Sequence, residues 1–131
     1  MNTLGNFIWL IFGGILIALE YLICSILLMI TIIGIPFGLQ TLKMANLALW
    51  PFGRDAVVVE KGTGCLSTIM NILWIFLGGI WIALTHLFFA IILTLTIIGF
   101  PWARQHMKLA AIGLTPFGRD IRSIDISVPG T

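Results

Sequence analysis

The side chains able to do chemistry are few, and the chain sets them among apolar neighbours. Glu20 is the one charged residue in an apolar run from Phe7 to Leu39, and His86 is the one histidine in a second run from Ile72 to Ala103. A carboxylate deep in a bilayer is costly unless it is paired, neutralised or wetted, so its default reading is a step on a proton or ion pathway. His86 is its natural partner by depth. A Glu20–His86 contact with Tyr21 beside it is therefore the candidate intramembrane polar site. Cys24 and Cys65 match no metal or redox spacing, and Cys24 reads as a small packing residue. The sequence has no phosphate-binding loop, dinucleotide fingerprint or zinc-protease motif. Its basic residues are too sparse for a nucleic-acid footprint. The expectation is a protein that is not an enzyme, with no catalytic residue, metal or cofactor.

The elements that position these groups belong in lipid. Of 131 residues, 60% are hydrophobic and 9% charged, whereas a soluble domain carries about a quarter charged residues. The mean hydropathy is +1.13. Each apolar run exceeds the roughly 20 residues a transmembrane helix needs. A cleaved signal is not expected, because the opening residues carry no basic side chain and the run is too long and recurs.

The recurrence organises the chain. Shifted by 65 residues, the sequence matches itself at 25 of 50 positions between Asn6 and Asp55. Asn6 falls on Asn71, Trp9 on Trp74, Gly13-Gly14-Ile15 on Gly78-Gly79-Ile80, and Thr31-Ile32-Ile33-Gly34 on Thr96-Ile97-Ile98-Gly99. Pro36 falls on Pro101, Lys43 on Lys108, and Pro51-Phe52-Gly53-Arg54-Asp55 on Pro116-Phe117-Gly118-Arg119-Asp120. Apolar bias alone does not align these glycines and prolines in register, so residues 1–65 and 66–131 are two membrane repeats. Glu20 falls on Thr85, so the repeat itself does not demand an acid.

Each copy reads in three parts. A long apolar helix covers about residues 6–33 in the first copy. Gly34-Ile35-Pro36 breaks it, because proline disfavours helical geometry in the residue before it. A shorter, more polar helix follows over about 37–50, with Gln40, Lys43 and Asn46 spaced along one face, and Pro51-Phe52-Gly53 ends it. The third part has strand character: Ala56 to Val59 in the first copy, and Ile124, Ile126 and Val128 alternating with Ser123, Asp125 and Ser127 in the second. The two strands are candidates to pair. The fold class is a mostly α membrane protein, a tandem repeat of long transmembrane helix, proline-broken shorter helix and short cytoplasmic β-strand.

Gly14 and Ala18, repeated as Gly79 and Ala83, have the small-xxx-small spacing of close helix packing. The stripe continues through Tyr21 and Ser25, and through His86 and Ala90. Lys43, Arg54, Lys108 and Arg119 follow the apolar runs and serve as cytoplasmic-side anchors. Copies duplicated in parallel would then both end in the cytoplasm, with loop 51–65 and the C-terminal tail on that side. This requires an even number of crossings per copy: the long helix goes out and the short one returns, with Lys43 and Lys108 snorkelling to headgroups. A two-span layout with the short helices in the interface is the rival. Trp9, Trp74, Trp50 and Trp102 read as interface anchors.

The tandem units, the Ile-Ile-Gly-x-Pro breaks at 32–36 and 97–101, the lysine-bearing helices and the Pro-Phe-Gly-Arg-Asp turns resemble the YccF family of small bacterial inner-membrane proteins. The resemblance covers about residues 5–128. It implies an inner (plasma) membrane location and a two-unit repeat, and it carries over no catalytic residue. Two functions fit the residues: a homo-oligomeric channel or transport element, and a structural or accessory protein that organises a partner or lipid. The expected associations are with the lipid bilayer and with further copies of the chain.

Overall fold

The computed structural model describes residues 2–59 and 64–123. The first unit comprises α1 (Asn2–Trp9), α2 (Ile15–Ile30), α3 (Ile35–Leu49) and β1 (Arg54–Val58). The second comprises α4 (Cys65–Trp74), α5 (Ile80–Leu95), α6 (Phe100–Leu114) and β2 (Arg119–Ser123). A wide helical turn joins α1 to α2 over Leu10–Gly14 and α4 to α5 over Ile75–Gly79.

Each unit is a helical hairpin, because α3 packs back along α2 and α6 along α5. The sequence builds both ends of the hairpin. At the tip, the Thr31 hydroxyl donates to the Leu28 carbonyl at 2.7 Å and accepts from the Gly34 N–H at 3.1 Å, closing the turn before Pro36 opens α3. Thr96 repeats this with Leu93 at 2.6 Å and Gly99 at 3.1 Å. Proline suits a first helical turn, where its missing N–H has no intrahelical partner. At the base, Asn6 accepts from the Phe52 N–H at 2.9 Å and donates to the Phe52 carbonyl at 3.1 Å. Asn71 holds Phe117 in the same way at 2.8 and 3.0 Å. Gly53 and Gly118 give both turns their positive φ, 92° and 91°.

The two units face each other across an approximate two-fold axis. Equivalent residues make reciprocal contacts: Tyr21 with Trp74 and His86 with Trp9, both at a ring separation of 6.1 Å. Phe37 meets Phe117 at 5.4 Å and Trp102 meets Phe52 at 6.4 Å. A Cβ on Gly13 would touch Phe89, and one on Gly78 would touch Cys24, the residue equivalent to Phe89. On the axis, residues meet their own counterparts: Thr85 bonds Glu20, and Ala56 pairs with Ile121 at the centre of the antiparallel β1–β2 ribbon. These contacts run the long helices antiparallel, so the base of each unit lies beside the tip of the other. The Trp102 indole accordingly donates to the Gly5 carbonyl at 3.0 Å.

The core is narrow and the exterior apolar. Trp9, Ile17, Met44, Leu47, Trp74 and Ile82 are buried at its centre. Only 33% and 28% of the most apolar stretches of the two long helices are buried inside the chain. Ile11 and its equivalent Phe76 are each 78% exposed. That surface matches a lipid solvent.

Several expectations change. The first long helix is broken at Phe12–Gly13 whereas the second stays helical through Ile75–Gly79, and the short helix spans Ile35–Leu49. The second strand is Arg119–Ser123; residues 124–128 lie outside the described chain. Trp9 and Trp74 are not interface anchors. They are 0% and 1% exposed, and their indoles donate to the Ala48 and Gly113 carbonyls at 2.6 and 2.8 Å. Gly14 and Gly79 seat these indoles: a Cβ there would meet Trp9 and Trp74 at 2.5 and 2.9 Å. Ala18 is buried and Ala83 half-buried, so the small-residue stripe is used within the chain. The copies, parallel in sequence, are opposed in space.

Candidate functional site

The polar groups at depth lie where the units cross. Glu20 on α2 accepts a hydrogen bond from Thr85 on α5 at 3.1 Å through Oε2. Its Oε1 is buried without a partner. The expected Glu20–His86 contact is not formed. His86 turns instead toward α6, where its Nδ1 lies 2.9 Å from Nδ1 of His106. Tyr21 and His86 do come together, both lining a cavity of about 10 Å³ with Met44, Leu47, Leu109 and Ile112.

His106 lies at a break in the first unit. Phe12 and Gly13 leave helical geometry, with Gly13 at φ 120°. This frees the Phe12 carbonyl, which accepts from His106 Nε2 at 2.9 Å. The second unit carries the same Gly-Gly pair but keeps Gly78 out of positive φ. The reason lies in the partner helix. The counterpart of His106 is Thr41, a shorter side chain that stays in its own hairpin, 2.5 Å from Ser25 Oγ. No imidazole is there to hold a freed carbonyl. The His106 ring is sandwiched between Trp9, with centroids 4.0 Å apart, and Phe89, at 5.5 Å.

A carbonyl only accepts, so His106 Nε2 carries its proton. Both imidazoles are 0% exposed and no carboxylate is bonded to them, and an uncompensated charge there is strongly disfavoured. The pair is therefore neutral, with His106 Nδ1 a lone pair that accepts from His86 Nδ1–H. His86 Nε2 is left as a bare acceptor, buried and without a partner.

Three of the four anchor residues, Arg54, Arg119 and Lys108, gather at the ribbon. Arg54 donates to the carbonyls of Trp50 and Asn46 at 2.9 and 2.6 Å, and Arg119 to that of Thr115 at 2.8 Å. Each guanidinium thus closes the C-terminal end of its short helix, where positive charge is favoured. Burial lowers the pKa of Arg54, which stays charged all the same. Lys43 is exposed on α3. Lys108 is an ion-pair partner of Asp55, with Nζ 3.3 Å from Oδ1 across the two units. Among the described residues no group of three potential metal ligands occurs.

Sequence reasoning missed His106 and Thr41, and it saw Ser25 and the two base asparagines only as stripe and repeat positions. A signal was present. Aligning the copies pairs Tyr21 with His86, Ser25 with Ala90 and Thr41 with His106. Polar positions that differ between otherwise matched apolar units mark where each hairpin solves its own buried hydrogen bonding.

Two opposed helical hairpins with an apolar exterior define an integral membrane protein built by duplication. The family model described as the YccF inner membrane component domain matches residues 4–54 and again 69–119, so the chain belongs to the YccF family. It is similar to the inner membrane protein YccF of Escherichia coli K12, at 29% identity over 95% of this chain and 90% of that one. The Shigella flexneri protein of the same name matches to the same extent. No solved structure matches the chain. The chain is thus an inner-membrane protein with two family units in tandem.

Proposed function

We propose that the chain is a transport element that works as a homo-oligomer in the inner membrane, with the Glu20–Thr85 crossing as a polar step on its path. The observation that carries this is the crossing itself. Opposed repeats that meet at a two-fold axis, with a polar contact at the crossing and a broken helix near it, are how many transporters build their sites. Glu20 adds a carboxylate oxygen with no partner, costly in lipid unless it serves a function. The cavity behind Tyr21 and His86 is only about 10 Å³, so a conducting route forms between subunits. Flux of protons and monovalent ions into liposomes, beside the assembly state in nanodiscs, tests this. A symmetric ring whose flux falls with Glu20→Gln supports it. A monomer or closed dimer without flux overturns it.

The ribbon also bears on sidedness. The premise of parallel copies fails, but β1 and β2 pair with each other, which supports one side of the membrane for both strands. The basic residues around them favour the cytoplasm, which puts loop 51–65 and the C-terminal tail on that side. Reporters fused at Thr63 and after Thr131 test this, and opposite locations refute it. An accessory role is the second reading. It is favoured by Lys43, Arg104 and Arg122, each exposed on a short helix or the ribbon, basic side chains suited to anionic lipid headgroups.

A further inference from the structure

We infer that the cavity on the two-fold axis is a binding site for one water molecule, held between His86 of the second unit and Tyr21 of the first. Three observations converge on it. The cavity measures about 10 Å³, close to the space one water occupies. Its walls come in equivalent pairs, Tyr21 with His86, Met44 with Leu109 and Leu47 with Ile112, which sets it on the axis. Its two polar walls are Tyr21 and His86, both buried, and His86 Nε2 has no partner.

The hydrogen-bond directions decide the ligand. The Phe12 carbonyl fixes the proton on His106 Nε2, and His106 Nδ1 then accepts the hydrogen bond of His86 Nδ1–H. His86 Nε2 can only accept. The occupant must therefore donate, must be no larger than water, and needs a second polar contact in an otherwise apolar wall. A water donating to His86 Nε2 and bonded to the Tyr21 hydroxyl meets all three demands. A cation is disfavoured because no carboxylate lines the cavity. Bound there, the water joins the two units at their crossing and completes a chain that runs from Tyr21 through His86 and His106 to the broken helix at Phe12.

Full-length protein labelled with ¹⁵N-histidine in nanodiscs tests this by solid-state NMR. The expected spectrum shows His86 with Nδ1 protonated and Nε2 bare and hydrogen-bonded, receiving magnetisation from a water proton. Tyr21→Phe removes one of two bonds to the water and should lower that transfer about fivefold, the factor for one net hydrogen bond. Ala48→Val, at the cavity wall, should abolish it by filling the space. A protonated His86 Nε2, or no transfer from water in the unmodified protein, overturns the inference whether or not either variant folds.

Discussion

Replacing Asn6 by alanine should open the base of the first hairpin. The Asn6 side chain is 0% exposed and spans both backbone groups of Phe52, accepting at 2.9 Å and donating at 3.1 Å. Two net hydrogen bonds at about 1 kcal/mol each are lost, and rewetting of the half-buried Phe52 backbone is incomplete, so the expected cost is about 2–3 kcal/mol. Reversible denaturation in mixed micelles, followed by tryptophan fluorescence, measures it. The repeat supplies an internal control. Asn71→Ala breaks the matching clamp on Phe117 and should cost a similar amount. The two sites share no partner, so their effects should add to within about 0.5 kcal/mol. Asn6→Asp keeps the acceptor but loses the donor, and should fall between wild type and alanine only if its added charge is wetted. A cost below about 0.5 kcal/mol for Asn6→Ala, in the range of ordinary surface changes, would refute the view that these asparagines close the hairpins.

Three further outcomes follow from the geometry. With the native cysteines removed, Glu20→Cys combined with Thr85→Cys should form an intramolecular disulfide under mild oxidant, seen as a gel-mobility shift; failure to cross-link removes the crossing. Gly13→Ala should cost about 2–4 kcal/mol in the same denaturation assay, because Gly13 combines φ 120° with Phe89 and His106 within 2.9 Å of the added Cβ, whereas Gly64→Ala meets nothing and should be near neutral. Lys108→Ala should cost less than about 1 kcal/mol, since the Lys108–Asp55 pair is partly exposed, with 41% and 32% of the side chains accessible; a larger loss would mean the pair is shielded by lipid.

What could be read in the sequence was whatever each unit settles alone. The Gly-x-Pro break, the returning short helix and the stripe Gly14, Ala18, Tyr21, Ser25 are local in origin, and all four stripe residues are buried. The pairing of the strands was also legible, but the Arg119–Ser123 stretch that pairs with β1 was not, because its charged residues lack the hydrophobic alternation that marks a strand. Contacts between the helices of the two units were out of reach. Glu20 meets Thr85 and His106 meets the Phe12 carbonyl because of how the helices are rotated about the two-fold axis, which periodicity does not encode. The same Gly-Gly pair is broken in one unit and helical in the other because His106 reaches the Phe12 carbonyl and Thr41 makes no matching contact. Interface positions for Trp9 and Trp74 were the natural reading of tryptophans opening long helices, yet each indole has a backbone carbonyl of its own short helix to bond.

The axis through Glu20–Thr85 and Ala56–Ile121 also bears on what joining two units in one chain permits. Two separate identical subunits around such an axis must place each residue that lies on it opposite its own twin. An acid at position 20 would then confront a second acid, and a histidine at position 86 a second histidine across the central cavity. The covalent link lifts that constraint. One half supplies the carboxylate and the other its hydroxyl donor; one lines the cavity with a phenol and the other with an imidazole. Duplication gives this protein a symmetric frame around an asymmetric centre, an arrangement that no self-paired single unit can reach.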